Sequence, residues 1–190
     1  MPERPDDADI TEWALAAGRG DRTALAAFVR ATQRDVHRFV AHLGSSLDAD
    51  DLAQETYLRA LRSLPSFAGR SSGRTWLLSI ARRVAADAVR TAVRRPRLVD
   101  APDWETLAGP GMVRGAGDEA VLLRQLVIAL DADRREAFVL TQMLGLSYAE
   151  AAEVCGCPVG TIRSRVARAR EDLVAAMDAR PGERRRAGGS

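Results

Sequence analysis

The 190-residue sequence contains no lysine and no asparagine, and all 28 of its basic residues are arginine. The missing lysine excludes two kinds of chemistry. A Walker-type phosphate loop needs a Gly-Lys pair, and Schiff-base catalysis needs a lysine amine. Only two histidines occur, His37 and His42, too few for a multi-histidine metal site without distant help. The two cysteines, Cys155 and Cys157, stand one residue apart, which is poor spacing for an intrachain disulfide staple. A reducing, intracellular home is expected from that usage. No apolar run approaches the ~20 residues that span a bilayer, so membrane insertion is not expected. The first residues, MPERPDDAD, are acidic and lack the apolar core of a secretory signal. No segment alternates apolar and polar residues as half-buried strands do. The composition points to no cofactor, no metal and no catalytic residue.

What is present is arginine in two blocks. The formal net charge is only +2, but it is unevenly spread. Residues 74–97 carry 7 arginines against one acid, Asp87, and residues 158–190 carry 8 arginines against 4 acids. Residues 1–73 are slightly acidic, with 9 arginines and 11 acids. Two separated basic blocks are the footprint of a polyanion touched in two places. A pair of solvated helix faces would be the plainer reading, but such faces intersperse acids, and these do not.

The hydrophobic fraction, 46%, suits a folded chain of one ordinary domain or two small ones. Residues 1–23 are expected to be mobile. Leu25, Phe28, Val29, Val36, Phe39, Val40 and Leu43 recur at helical spacing. A second helix is expected after Ser46 or Asp48, with Ala53, Tyr57, Ala60, Leu61 and Leu64 on its apolar face. Pro65 and Gly69 punctuate a short loop. A third helix carries Leu77, Ile80, Ala81, Val84 and Ala88 inward and stops near Arg95, ahead of Pro96. Residues 98–117 hold six Gly or Pro in twenty positions and read as a flexible linker; its Trp104 fits local packing and docking to a partner equally. A fourth helix begins with Leu122, Leu126 and Ala129. Asp133-x-x-Glu136 predicts a capping box for a fifth, which runs over Phe138, Leu140 and Leu144 to Gly145. Ser147-x-x-Glu150 predicts another capping box, Gly156 a turn, and Pro158 the start of a last helix with the stripe Val159, Ile162, Val166, Ala169 and Leu173. The fold class is all-α: two small helical domains, 24–97 and 118–178, a linker between them, and a disordered basic tail over 179–190.

Residues 146–170 carry the strongest functional pattern. A capped short helix, a glycine turn and a second helix opening at proline make a helix-turn-helix, whose second helix lies in the DNA major groove. With Val159, Ile162 and Val166 inward, Thr161, Arg163, Ser164, Arg165 and Arg168 face outward, with Arg170 beyond them. Arginine donates two hydrogen bonds to a guanine edge, and Thr or Ser reaches bases or phosphate. In the other block, Arg82, Arg83 and Arg90 lie on the third helix, with Arg74 and Trp76 near its start and Phe67 in the loop before it. Arginines beside aromatic rings suit single-stranded nucleic acid, where bases stack and the backbone needs charge. Core packing is the competing reading for Trp76.

Three stretches, DADDLAQETYLRALRSLPSF (48–67), RTWLLSIARRVAAD (74–87) and GLSYAEAAEVCGCPVGTIRSRVARAREDL (145–173), resemble the sigma-70 family of bacterial transcription initiation factors, and most nearly its small extracytoplasmic-function (ECF) group. The resemblance implies a subunit that binds RNA polymerase core, through the β′ clamp helices and the β flap, and promoter DNA. It places Asp50, Asp51, Gln54, Glu55 and Arg59 on the face that docks to the clamp helices. It makes the loop from Phe67 to Gly73 the pocket for a flipped minus-ten base. Arg74, Trp76, Arg82, Arg83 and Arg90 fall on the promoter-opening helix, and Thr161 to Arg168 on the minus-thirty-five recognition helix. Ala68 and Gly73 depart from the family's usual larger residues. An anti-sigma protein is a further candidate partner, and the cytoplasm, at the nucleoid, is the expected location.

Two other readings compete. A stand-alone helix-turn-helix repressor or activator would bind duplex operator by itself, but it leaves the arginine block at 74–97 on the wrong domain. A nuclease would need clustered carboxylates such as Asp48, Asp50 and Asp51, and that cluster matches the polymerase-docking segment better. A redox or zinc switch at Cys155 and Cys157 lacks a neighbouring histidine or third cysteine.

Overall fold

Helical spacing in the sequence becomes helix throughout the described chain. The computed structural model describes residues 5–43, 48–94 and 118–179, and every regular element among them is helical. The linker 98–117 and residues 180–190 of the tail lie outside the described residues, and with them Trp104.

The expectation of a mobile segment over 1–23 is corrected by the first helix, α1 (Asp7–Gly18). Asp6 caps it, its side chain accepting from Asp9 N at 2.8 Å, and Ile10 and Ala14 are fully buried. Trp13 and Ala17 pack beside them, so the four residues form one apolar stripe at helical spacing that the neighbouring helices receive. In α2 (Arg22–Leu43) the Asp21 carboxylate accepts from the N–H groups of Thr23 and Ala24, so the helix starts ahead of Leu25. Phe28, Val36, Phe39 and Val40 are buried.

In α3 (Ala49–Ser63), capped by Asp48, the buried stripe is Leu52, Thr56 and Ala60, while Leu61 is 42% exposed. The expected face is therefore rotated. Thr56 can face the core because its hydroxyl donates to the Leu52 carbonyl at 2.7 Å, which satisfies a buried polar group locally. Tyr57 lies at the edge, its hydroxyl 2.8 Å from that of Thr32, and burial pushes the phenol up to about 12. A single 3₁₀ turn, Leu64–Ser66, leads to the loop before α4 (Gly73–Arg94), which buries Leu77, Leu78, Ile80, Ala81 and Val84.

The second unit comprises α5 (Asp118–Ala129), α6 (Ala132–Phe138) with a π-turn continuation over Val139–Met143, α7 (Tyr148–Cys155) and α8 (Val159–Asp178). Asp131, not Asp133, caps α6, accepting from Asp133 N at 3.1 Å. That displaces the expected capping box and frees Glu136, which is buried. The box at Ser147 and Glu150 forms in both directions. Gly156 ends α7 in the left-handed region at φ 65°, a conformation that costs glycine least. Pro158 is the N-cap of α8, so the helix starts at Val159, one position later than expected. Ile162, Val166, Ala169 and Leu173 face the core, with Val159 outside.

The two units do not stand apart. α4 packs on α7 and α2 on α6, and buried residues of both belong to one cluster. Three arginines stitch the contact. Arg74 Nη2 donates to the Leu144 carbonyl at 2.5 Å, Arg82 Nε to Glu136 Oε1 at 2.5 Å, and Arg135 Nη1 to the His42 carbonyl at 3.2 Å. Arg74 is itself buried, its Nε on Asp35 Oδ2 at 2.7 Å. The His42 ring is buried at the end of α2, its Nδ1 2.6 Å from the Arg38 carbonyl. Burial, and then the charges of Arg124, Arg38 and Arg135, lower its pKa below the ordinary 6.5.

Two outcomes are expected. Asp35→Ala leaves the Arg74 guanidinium buried and unpaired, so unfolding free energy falls by about 3–5 kcal/mol in denaturant titration. His42, its pKa depressed by folding, binds its proton more readily when unfolded. Stability therefore drops as pH falls through 6.5 toward the lower folded value. Between about pH 7.5 and about pH 5.5 the melting temperature of the wild type should fall further than that of His42→Gln.

Candidate nucleic-acid interface

The recognition helix is built from the inside out. Ile162, Val166 and Ala169 anchor α8 in the core, which turns the alternate positions toward solvent. Arg163, Ser164 and Arg168 are exposed and Thr161 half-buried. Neither Arg163 nor Arg168 has an ion-pair partner among the described residues. Ser164 Oγ donates to the Thr161 carbonyl at 2.9 Å, a local bond that water or phosphate can replace.

Arg165 and Arg170 differ. Arg165 is ion-paired with Asp133 of α6, and its Nη1 lies 3.7 Å from Cys157 Sγ. Arg170 Nη2 donates to Gln142 Oε1 at 2.7 Å. Beside them, Arg134 Nη1 pairs with Asp172 at 2.6 Å. These contacts brace α8 against α6 and the π-turn. The outward stripe read from sequence therefore divides into free cations, Arg163 and Arg168, and tethered ones, Arg165 and Arg170.

The second basic block divides in the same way. Phe67 and Trp76 come together, ring centroids 4.8 Å apart and planes inclined at 37°. Both are half-buried, so each keeps part of a ring toward solvent. Trp76 is thus at once core packing and surface. Arg83 is exposed without an ion-pair partner among the described residues. Arg90 is exposed and paired with Asp87. Arg74 is not a surface cation at all: 6% exposed and paired with Asp35, it is a strut inside the first unit. Arg82 is turned to the second unit and held by Glu136.

Of the acidic docking set, Asp50, Asp51 and Gln54 are exposed. Asp50 lies 3.1 Å from His37 Nε2. Glu55 accepts from Arg59 Nε at 2.7 Å, and Arg59 Nη1 donates to Asp87 at 2.8 Å. Bonds from Arg59 and then Arg90 hold the Asp87 carboxyl below the usual carboxylate range. One chain of charges, Glu55–Arg59–Asp87–Arg90, therefore joins the acidic face of α3 to the basic face of α4.

Sequence reasoning missed Glu136, Asp133 and Gln142, the partners that occupy three of the named arginines. The only signal for Glu136 was its position, one turn before Leu140 on the apolar face of α6. Both cysteines are free; Cys155 is buried, which pushes its thiol up, and it lies beside Glu136. No group of three or more metal-ligating side chains gathers among the described residues, and none of their helices is long and apolar enough to cross a membrane.

Comparison with known proteins agrees with this layout. The family model for Sigma-70 region 2 matches residues 28–95, and that for Sigma-70, region 4 matches residues 120–173. The ECF RNA polymerase sigma factor SigC of Mycobacterium tuberculosis is 54% identical over 177 residues, spanning 93% of this chain and 94% of the relative. CnrH, solved in complex with the cytosolic domain of CnrY, superposes with a TM-score of 0.70 at 26% identity, over 90% of this chain and 98% of that one. The sigma factor RpoE of Bartonella quintana, solved with the anti-sigma factor NepR, gives a TM-score of 0.64 at 28% identity, over 82% and 97% of the two chains.

If the Arg82–Glu136 pair holds the two units together, Glu136→Ala should loosen them, since Arg82 would face an apolar wall without its partner. Small-angle scattering should then report a larger radius of gyration for Glu136→Ala than for wild type. Equal radii would show that the apolar contacts of α4 and α7 suffice alone.

Proposed function

The chain belongs to the sigma-70 family of RNA polymerase sigma factors, in its ECF group, and from that membership we propose how its residues share the work of promoter recognition. The unit at 24–97 docks on core polymerase through Asp50, Asp51 and Gln54, the exposed members of the set Asp50, Asp51, Gln54, Glu55 and Arg59. It receives the opened minus-ten strand at Phe67 and Trp76, with Arg83 and Arg90 beside the backbone. The unit at 118–178 reads the minus-thirty-five duplex. The β′ clamp helices and the β flap are the polymerase surfaces that receive the two units. The protein acts in the cytoplasm and performs no covalent chemistry of its own. We include an anti-sigma protein among its candidate partners because both solved neighbours carry one or a comparable cytosolic partner domain.

The observation that carries this division is the state of the arginines on α8. Arg163 and Arg168 are exposed without ion-pair partners, one near the helix start and one a turn and a half later. Side chains early in a recognition helix reach base edges, while later ones meet phosphate. Arg165, tied to Asp133, braces the helix. Arg74 and Arg82 are engaged by Leu144 and Glu136, so full use of the opening helix requires the two units to part. Two modest DNA contacts on a tether then act together once both are seated on the polymerase. The stand-alone repressor reading accounts for α8 but leaves Phe67, Trp76 and the acidic face of α3 without a task.

Run-off transcription with purified core polymerase on a library randomised across both promoter elements tests the proposal. Arg163→Ala should cost about 1–3 kcal/mol at preferred promoters and flatten preference at one minus-thirty-five position. Arg168→Ala should weaken all sequences alike and reduce the salt slope by about one contact. Arg165→Ala should leave the base preferences in place. Identical logos for wild type and Arg163→Ala would remove base readout from this helix, and no transcript with core polymerase would remove the sigma reading itself.

A further inference from the structure

Helix α1 precedes the residues matched by the region 2 model, and the reading above leaves it without a role. Its position is specific. One face of α1 runs along the segment 64–73 from end to end. At the far end, Thr11 Oγ1 accepts from the Gly73 N–H at 2.9 Å and donates to the Asp7 carbonyl at 2.6 Å. In the middle, a methyl group at Gly69 would stand 3.5 Å from Leu15 Cδ1, so the loop touches that side chain. At the near end, a methyl group at Gly18 would stand 2.5 Å from the Leu64 carbonyl oxygen. Only a glycine lets the helix end approach the 3₁₀ turn so closely. Residues 11, 15 and 18 share one side of a helix, and they meet the loop in antiparallel order, at 73, 69 and 64.

The Thr11 hydroxyl is fully used. Its proton goes to Asp7, and a lone pair takes an N–H at the head of α4 that has no partner within its own helix. Ser72 secures the same head from the other side, its Oγ accepting from Thr75 N at 3.0 Å. The first turn of α4 is thus clamped between Thr11 and Ser72, and Trp76 follows one turn later. Phe67, three residues beyond Leu64, stacks on that tryptophan. Both ends of the aromatic shelf are therefore referred to α1.

We propose that α1 is the positioning element of the minus-ten site, with Thr11, Leu15 and Gly18 setting the shape of the loop Phe67–Gly73 and so the base it accepts from the non-template strand. The inference rests on that loop being the single-strand pocket. Thr11 is a positioning residue; it acts through Gly73 and touches no nucleotide.

The test is transcription by core polymerase and full-length protein from a library randomised over the minus-ten element, run with wild type, Thr11→Val, Thr11→Ser, Leu15→Ala and Phe67→Ala. Valine keeps the shape of threonine and removes the hydrogen bond. Thr11→Val should reduce yield from the preferred element about fivefold, the worth of one neutral hydrogen bond, and flatten preference at a minus-ten position. Thr11→Ser should restore it. Preference across the minus-thirty-five element and co-purification with core polymerase should stay as in wild type, which a general loss of folding would not allow. Leu15→Ala keeps both end contacts and should blunt the same position, so the inference does not hang on one variant. A flattened logo for Phe67→Ala with unchanged logos for Thr11→Val and Leu15→Ala would leave the pocket in place and overturn the role of α1. Unchanged logos for all three would overturn the pocket and the inference together.

Discussion

The guanidinium of Arg74 is the constraint around which the rest is arranged. A buried cation is tolerable only with its donors occupied by well-placed partners. Here Nε is held by Asp35 of α2 and Nη2 by the Leu144 carbonyl. That carbonyl lies just past the π-turn, among the terminal C=O groups that a helix cannot satisfy itself. One side chain thereby binds a buried carboxylate in one unit and a helix-terminal carbonyl in the other. The positions of α2, α4 and the end of the π-turn follow from it.

The interface between the units draws on the same residue type that the sequence marks for DNA. Arg74 and Arg82 come from the strongly basic stretch 74–97, and their partners come from the acidic stretch 119–157 that precedes the recognition helix. The two units are complementary in charge where Arg82 meets Glu136. On the proposed function, a phosphate backbone competes with Glu136 for Arg82. The braces on α8 follow a different logic: Asp133 and Gln142 lie in the same unit as Arg165 and Arg170, so those contacts persist whether or not the units touch.

The helices were largely legible because their signals are local. The Ser147–Glu150 box, the Gly156 turn and the Ile162–Leu173 stripe all depend on residues within a few positions of each other, and each forms as expected. Long-range pairs were not legible. Asp133-x-x-Glu136 satisfies the local rule for a cap, yet Asp131 takes that role and Glu136 turns inward to Arg82, 54 residues away in sequence. Leu61 was expected inside because it is apolar, but it is exposed, and Thr56, its hydroxyl satisfied by its own helix, takes a core position. α1 was overlooked although Ile10, Trp13, Ala14 and Ala17 recur at helical spacing, because the Asp- and Gly-containing residues around them read as a mobile segment. Its stability comes from α2, α4 and the 3₁₀ turn, which no window of sequence contains.

The absence of lysine acquires a structural meaning at the contact between the units. An ammonium is a point donor, whereas a guanidinium is a rigid planar fork whose nitrogens can serve different partners at once. Arg74 keeps Asp35 on Nε while Nη2 serves Leu144, and Arg59 likewise divides itself between Glu55 and Asp87. On the proposed function, in which the units part, Arg74 gives up the Leu144 carbonyl and can keep Asp35, its partner within the first unit. The joint is therefore a plug whose socket is already shaped. Of the two bonds that Arg74 makes, only the one to Leu144 spans the units.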